Sequence, residues 1–167
     1  MKSDLMMDFS VDRANHSITV KREFAAELPL VWDAYTNSDM LDQWWAPKPW
    51  QARTKSMNFS EGGHWHYAMV GPQGEEHWGK MSYLTIEPQR RFTAQDAFTD
   101  ASGTVNPQMP VSTMDITFVQ KDGKTLVTNR VTYADLAQLE ASLKMGMKEG
   151  LTMAMEGLDE LLATKTK

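Results

Sequence analysis

Cysteine is absent from the 167-residue sequence, which excludes a disulfide framework, a thiolate metal site and a cysteine nucleophile. Long apolar runs are absent too, because no stretch approaches the roughly 20 residues that a membrane-spanning helix needs. The first residues, MKSDLMMDFSVDRANHS, lack the apolar run of a signal peptide. We therefore expect a cytoplasmic protein with no membrane span.

Positive charge is scarce, since 17 lysines and arginines stand against 22 aspartates and glutamates, for a formal net charge of −5. This balance argues against a general nucleic-acid binder. The sequence also lacks a nucleophile elbow and a phosphate-binding loop. We accordingly assign no catalytic residue and no metal ligand, and we expect no cofactor.

The spacing of apolar residues changes twice along the chain. Residues 17–24 alternate as a strand, two short helices follow, and from Trp50 to Tyr133 the period is again that of strands. From about Asp135 to Ala163, leucines and methionines recur every three or four residues, which predicts one long helix. The pattern therefore predicts an α+β fold for residues 17–163, with six to seven antiparallel strands, preceded by a flexible arm over residues 1–16.

Paired glycines mark two places where the regular structure is expected to change. Gly62 and Gly63 lie between two predicted strands and indicate a tight turn or bulge. Gly146 and Gly150 interrupt the predicted C-terminal helix, where they favour a kink or a close backbone approach.

Four motifs occur in a characteristic order: VWDAYTNSDMLDQWWAP, FSEGGHWHY, WGKMSYLTIEPQRRF and GMKEGL. Together they resemble the heat-shock protein 90 ATPase activator homologue family, although Leu151 stands where a tryptophan is common. That family belongs to the superfamily of START-related, polyketide-cyclase and birch-pollen-allergen proteins. The resemblance implies a helix-grip fold, in which a curved sheet wraps around a long C-terminal helix and leaves a cavity between them. Members include ligand binders, cyclase-like enzymes and a co-chaperone domain.

Four of the six tryptophans lie between residues 32 and 50. Short helices cover little area per residue, so bulky rings are needed to close an open end of the sheet. We interpret Trp32, Trp44 and Trp45 as such a lid. The alternative is that one of them, or Trp50, faces the mouth of a cavity and stacks on a planar ligand.

A hairpin over residues 62–81 supplies the best candidates for a cavity wall. If it is symmetric about Pro72 and Gln73, Tyr67 lies opposite Trp78 and shares a face with it. Asp96 alternates with Phe92, Ala94 and Phe98, so it is expected to point inward as well. We therefore predict a ligand-binding site made of Trp65, Tyr67, Met69, Trp78, Asp96, Phe98, Met147 and Leu151.

Two polar features of this region allow alternatives. Asp96 could act as a general base or anchor a ligand, but a hydrogen bond to a tyrosine or to an arginine such as Arg130 is favoured. The opposite face of the hairpin is expected to carry His64, His66 and His77 close together. Such a trio can bind zinc or copper, yet solvated surface histidines are favoured.

Three functions remain open at this point. We favour a binding protein for a lipid-like or aromatic molecule. The second is an enzyme of cyclase or hydrolase type that uses polar groups of the cavity. The third is a protein-interaction module of co-chaperone type. Methionines on the last helix cannot all face inward, so a homodimer is also considered.

Overall fold

The computed structural model describes residues 5–165 and consists of an antiparallel sheet of eight strands packed against four helices. The strands are β1 (Met7–Asp12), β2 (Ser17–Phe24), β3 (Gln51–Met57), β4 (His64–Val70), β5 (Glu76–Glu87), β6 (Arg91–Thr99), β7 (Val111–Lys121) and β8 (Lys124–Tyr133). The helices are α1 (Leu28–Thr36), α2 (Ser38–Trp44), α3 (Leu136–Lys144) and α4 (Met147–Lys165).

The strand order across the sheet is β1-β2-β8-β7-β6-β5-β4-β3, and every neighbouring pair is antiparallel. After β2 the chain crosses through α1 and α2 to the far edge, and β3 to β8 then return by successive hairpins. One face of this curved sheet is buried against α4, which completes the helix-grip arrangement. The α+β architecture is as the sequence predicts.

The strand number is larger than the predicted six to seven. The added strand, β1, comes from the segment that the sequence analysis assigns to a flexible arm, and it pairs with β2 over its whole length. Met7, Phe9 and Val11 alternate with exposed residues and are half-buried against the core. The period of two typical of a half-buried edge strand is thus present in the sequence.

The two short helices have distinct start signals. Pro29 lies in the first turn of α1, where its missing N–H costs no hydrogen bond. Asn37 caps α2, since its side chain accepts hydrogen bonds from the backbone N–H groups of Asp39 and Met40. Trp32 packs edge-on against three phenylalanine rings of the core and closes one end of the sheet.

The C-terminal helical segment is broken, which corrects the expectation of one continuous helix. Helix α3 ends at Lys144, and Gly146 adopts a φ of 87°, which permits the turn into α4. Helix α4 buries an apolar stripe that includes Ala154 and Leu158. Its Asp159 forms a buried ion pair with Arg22 of β2 and fixes the helix to the sheet. Among the helices of residues 5–165, none is long and apolar enough to cross a membrane.

Candidate functional site

A cavity of about 410 Å³ lies between the inner face of the sheet, helix α2 and the two C-terminal helices. Its wall is mainly aromatic rings and methionine side chains. It reaches the surface, since Met145, which is 52% exposed, is part of the lining. The tyrosine, tryptophan, phenylalanine and methionine residues of the lining are Tyr35, Trp44, Trp45, Trp50, Tyr67, Trp78, Phe98, Tyr133, Met69, Met114, Met145, Met147 and Met155.

One row of residues crosses the inner face at the level of the cavity. Register pairs Trp65 with Met81, Met81 with Asp96, Asp96 with Ser112, and Ser112 with Tyr133. Directly paired residues of neighbouring strands point to the same face. Asp96 therefore stands in the middle of the sheet, with a methionine on one side and a buried serine on the other.

A missing side chain helps to shape the cavity. Gly79 lies between Tyr67 and Phe98 in the next row of the sheet. The Tyr67 ring occupies the space in front of this glycine, because a Cβ built on Gly79 would lie only 2.9 Å from the Tyr67 hydroxyl oxygen. Glycine at this position thus allows the aromatic wall to lie close to the backbone.

Asp96 is the acidic residue among the described residues that line the cavity. Its Oδ1 atom is buried and has no hydrogen-bond partner within residues 5–165. Burial raises the pKa of this carboxyl to about 7, because the low-dielectric surroundings disfavour its charged form. Oδ1 therefore does not make the hydrogen bond to a tyrosine, or to an arginine such as Arg130, that the sequence favours for Asp96. Arg130 is exposed and pairs in register with Asp115 and Thr19.

Three tyrosines interact electrostatically with this carboxyl. Burial raises the pKa values of Tyr67, Tyr83 and Tyr133, and the negative charge of Asp96 raises each of them further. They are therefore neutral near pH 7 and available as hydrogen-bond partners. The Tyr133 hydroxyl donates to the Met147 sulfur at 3.5 Å. The Tyr83 hydroxyl is buried without a partner among the described residues.

The helix break forms the opposite wall. Met145, Gly146 and Met147 belong to the lining, and Gly150 follows one turn later. A Cβ on Gly150 would make only an ordinary contact of 3.9 Å with Pro47. A Cβ on Gly146 would meet no atom within 4 Å, so neither glycine is forced by close packing and both leave side-chain space unfilled beside the cavity.

The structure brings together almost all of the predicted site residues. Tyr67, Met69, Trp78, Asp96, Phe98, Met147 and Leu151 line the cavity. Trp65 does not line it, because its ring stacks behind Tyr67 with a centroid separation of 4.0 Å. Binding of a ligand by these residues stays a prediction.

The predicted register of the β4–β5 hairpin is wrong by one residue. Gly71 to Glu75 form a five-residue connection, and Tyr67 pairs with Gly79 instead of Trp78. An odd shift of one residue moves side chains to the other face. The ring of Trp78 consequently lies beside His66 on the outer face, at 5.0 Å between centroids, although the residue borders the cavity.

The same shift separates the histidines. His77 pairs with Met69 and lies beside Trp50, in the cavity lining, whereas His66 is on the outer face. The expected cluster of three histidines is therefore not formed. No group of three or more histidine or acidic side chains arranged for a metal ion occurs in the described part of the chain.

Several lining residues are outside the predicted set. Trp44, Trp45 and Trp50 line the cavity, which agrees with the alternative role considered for the tryptophan-rich segment. Trp44 also serves the lid, because its ring N–H donates to the carbonyl oxygen of Ala34 at 2.9 Å. Ser112 and Tyr133 alternate inward on β7 and β8, so strand periodicity could have identified them.

Comparisons with known proteins agree with this architecture. The profile of the family described as Activator of Hsp90 ATPase homolog 1-like protein matches residues 25–163. No significant match is found among curated proteins.

Solved structures resemble the chain over nearly its whole length. Protein Ms6760 from Mycobacterium smegmatis is 32% identical, with a TM-score of 0.87 and coverage of 95% of this chain and 96% of that one. A protein from Arthrobacter aurescens is 27% identical, with a TM-score of 0.89 and coverage of 94% and 91%. The AHSA1 protein from Silicibacter pomeroyi shares the fold at 17% identity, with a TM-score of 0.70 and coverage of 89% and 99%. The profile match over residues 25–163 and the shared fold together show that the present chain belongs to the family of Activator of Hsp90 ATPase homolog 1-like proteins.

Proposed function

We propose that the protein binds a small apolar molecule, aromatic or lipid-like, in the cavity between the sheet and helix α4. The observation that carries this proposal is the cavity itself, whose volume of about 410 Å³ lies within the range of about 300–1,000 Å³ common for small-molecule sites. Its wall combines a large apolar surface with a few polar groups. Such a wall favours an apolar ligand body that is oriented by one or two hydrogen bonds.

The composition of the wall supports this choice of ligand. Trp45 contacts Tyr67 edge-on at 6.4 Å, and Tyr67 stacks on Trp65. Aromatic walls of this kind offer both stacked and edge-on contacts to a planar ligand. Flexible thioethers, such as those of Met69 and Met147, can adapt to ligands of different shape.

The direct test is native mass spectrometry of the protein purified without denaturant, together with a titration with 1-naphthalenemethanol followed by tryptophan fluorescence. We expect a bound mass that denaturation releases, and a saturable change in fluorescence. Tyr67→Ala should weaken binding, because Tyr67 lines the cavity. His64→Ala is the matched control, since this outer-face histidine contacts Ser56 at 2.9 Å. Absence of both a bound mass and saturable binding would contradict the proposal.

One observation favours a second candidate, an enzyme of cyclase or hydrolase type. Burial brings the pKa of Asp96 to about 7, where a carboxylate is an effective general base near neutral pH. Turnover of a bound compound by the wild-type protein but not by Asp96→Asn would support this candidate. The third function, a protein-interaction module, has no specific observation among residues 5–165 that favours it over the other two.

A further inference from the structure

The unpartnered acceptor in the cavity wall restricts which small molecule fits. Asp96 Oδ1 is buried and accepts no hydrogen bond from residues 5–165. A buried acceptor that is left without a partner destabilises the site, and a donor brought by a ligand removes this cost. This atom therefore favours a ligand that donates a hydrogen bond.

The charges around the cavity restrict the ligand further. The described lining contains no lysine and no arginine. The buried cation of the core, Arg22, is already paired with Asp159 on helix α4. An ionised Asp96 consequently has no protein cation beside it, whereas a cationic ligand would neutralise it in a site of low dielectric.

The aromatic wall also favours a ligand with a positive charge. Ring faces carry negative electrostatic potential and attract a cation that lies within about 6 Å of the centroid. Trp45, Tyr67 and Phe98 line the cavity together with Asp96, and Gly79 lets the Tyr67 ring lie close to the sheet backbone beside this row. An ammonium group at Asp96 would thus lie among aromatic rings.

Resting on the proposed function, we propose that the cavity selects an apolar molecule that carries a protonated amine, with the ammonium group donating to the Asp96 carboxylate. The apolar body occupies the space between the aromatic sheet face and the methionines of the helix break. Anionic lipids, such as fatty acids, are disfavoured by the same carboxylate.

The test compares three probes that share one naphthalene body: 1-naphthylmethylamine, 1-naphthalenemethanol and 1-naphthoic acid. At pH 8 we expect the amine to bind about tenfold more tightly than the alcohol, the typical gain from one charge-assisted hydrogen bond, and the acid to bind most weakly. Asp96→Asn should reduce the preference for the amine to within about threefold, which is about 0.7 kcal/mol. Asp115→Asn removes an acid that pairs with Arg91 outside the cavity and should leave the preference unchanged.

The pH dependence provides a readout that needs no variant. From pH 8 to pH 6, the ionised fraction of a carboxyl with a pKa of about 7 falls about tenfold, and the affinity for the amine should fall with it. Tyr67, Tyr83 and Tyr133 face Asp96 and stay neutral over this range. His77 also lines the cavity, so the pH dependence that Asp96→Asn retains measures its contribution.

The outcomes separate this inference from the proposed function. Equal binding of amine and alcohol, tightest binding of the acid, or a preference for the amine that survives Asp96→Asn would overturn the inference and leave the binding function intact. Failure of all three probes to bind, with no bound mass in the purified protein, would overturn both.

Discussion

Replacing Asp96 by asparagine should change how the stability of the protein depends on pH. The folded-state pKa of this carboxyl is about 7, compared with 3.8 for an unperturbed aspartate. Between these two values the folded protein binds more protons at this site than the unfolded chain does, so the contribution of Asp96 to stability falls as the pH rises from about 4 to 7 and is then constant. At 1.36 kcal/mol per pKa unit, the ionised carboxyl costs about 4 kcal/mol at pH 8.

Asparagine has nearly the same shape and does not ionise, so this cost disappears in Asp96→Asn. The free energy of unfolding of the variant, relative to wild type, should therefore increase by about 4 kcal/mol between pH 4 and pH 8. Urea denaturation at several pH values, followed by tryptophan fluorescence, measures this difference. Because only the change with pH is compared, any constant effect of the amide cancels.

Asp115→Asn is the control, since it removes one carboxylate outside the cavity and should not reproduce the increase. A difference between Asp96→Asn and wild type that stays constant with pH would refute the reasoning. A wild-type protein that gains stability over the variant as the pH rises would refute it too, because Asp96 would then be ionised and stabilised by a partner.

Three other substitutions test separate parts of the structure. Gly79→Ala places a Cβ 2.9 Å from the Tyr67 hydroxyl oxygen and should weaken binding of 1-naphthalenemethanol about fivefold, or about 1 kcal/mol. Unchanged affinity in the fluorescence titration would contradict this, because it would show that the Tyr67 ring moves aside freely. Gly63→Val places side-chain atoms against the backbone carbonyl of residue 58 and should lower the free energy of unfolding in urea by about 2–3 kcal/mol, whereas a neutral effect would mean that the turn relaxes. Arg22→Met removes the buried cation that pairs with Asp159 and should lower the free energy of unfolding by about 3–5 kcal/mol. The double variant with Asp159→Leu should restore most of this loss. Equal losses in the single and double variants would contradict this account.

The class of fold and the family could be predicted from the sequence because both depend on patterns that extend over many residues. The change from period two to helical spacing near Tyr133 separates sheet from helix, and the paired glycines before β4 lie at a turn, where Gly62 has a φ of 84°. The inward orientation of Asp96 likewise follows from alternation along β6. Such patterns tolerate errors of one residue at their ends.

The details that could not be predicted depend on single residues or on long-range packing. The face on which Trp78 lies is decided by whether the preceding connection has four or five residues, and both lengths are compatible with GPQG. The number of helices depends on whether Gly146 adopts a positive φ, which glycine permits but does not require. The lack of a partner for Asp96 Oδ1 within residues 5–165 depends on which side chains meet it from β4, β5 and β8, and no local pattern encodes that.

The most direct test of the binding site is an NMR titration of the protein labelled at its methionine methyl groups with 13C, with 1-naphthylmethylamine as the ligand at pH 8. The methionines are distributed widely, and a naphthalene ring shifts the signals of methyl groups that it contacts. Signals should shift for the cavity residues Met69, Met114, Met145, Met147 and Met155, and should stay unchanged for Met40, Met57, Met109 and Met153, which lie outside the lining. Saturable shifts confined to the first group are the result that the account predicts. Shifts confined to the second group, or no shifts at saturating probe, would contradict it.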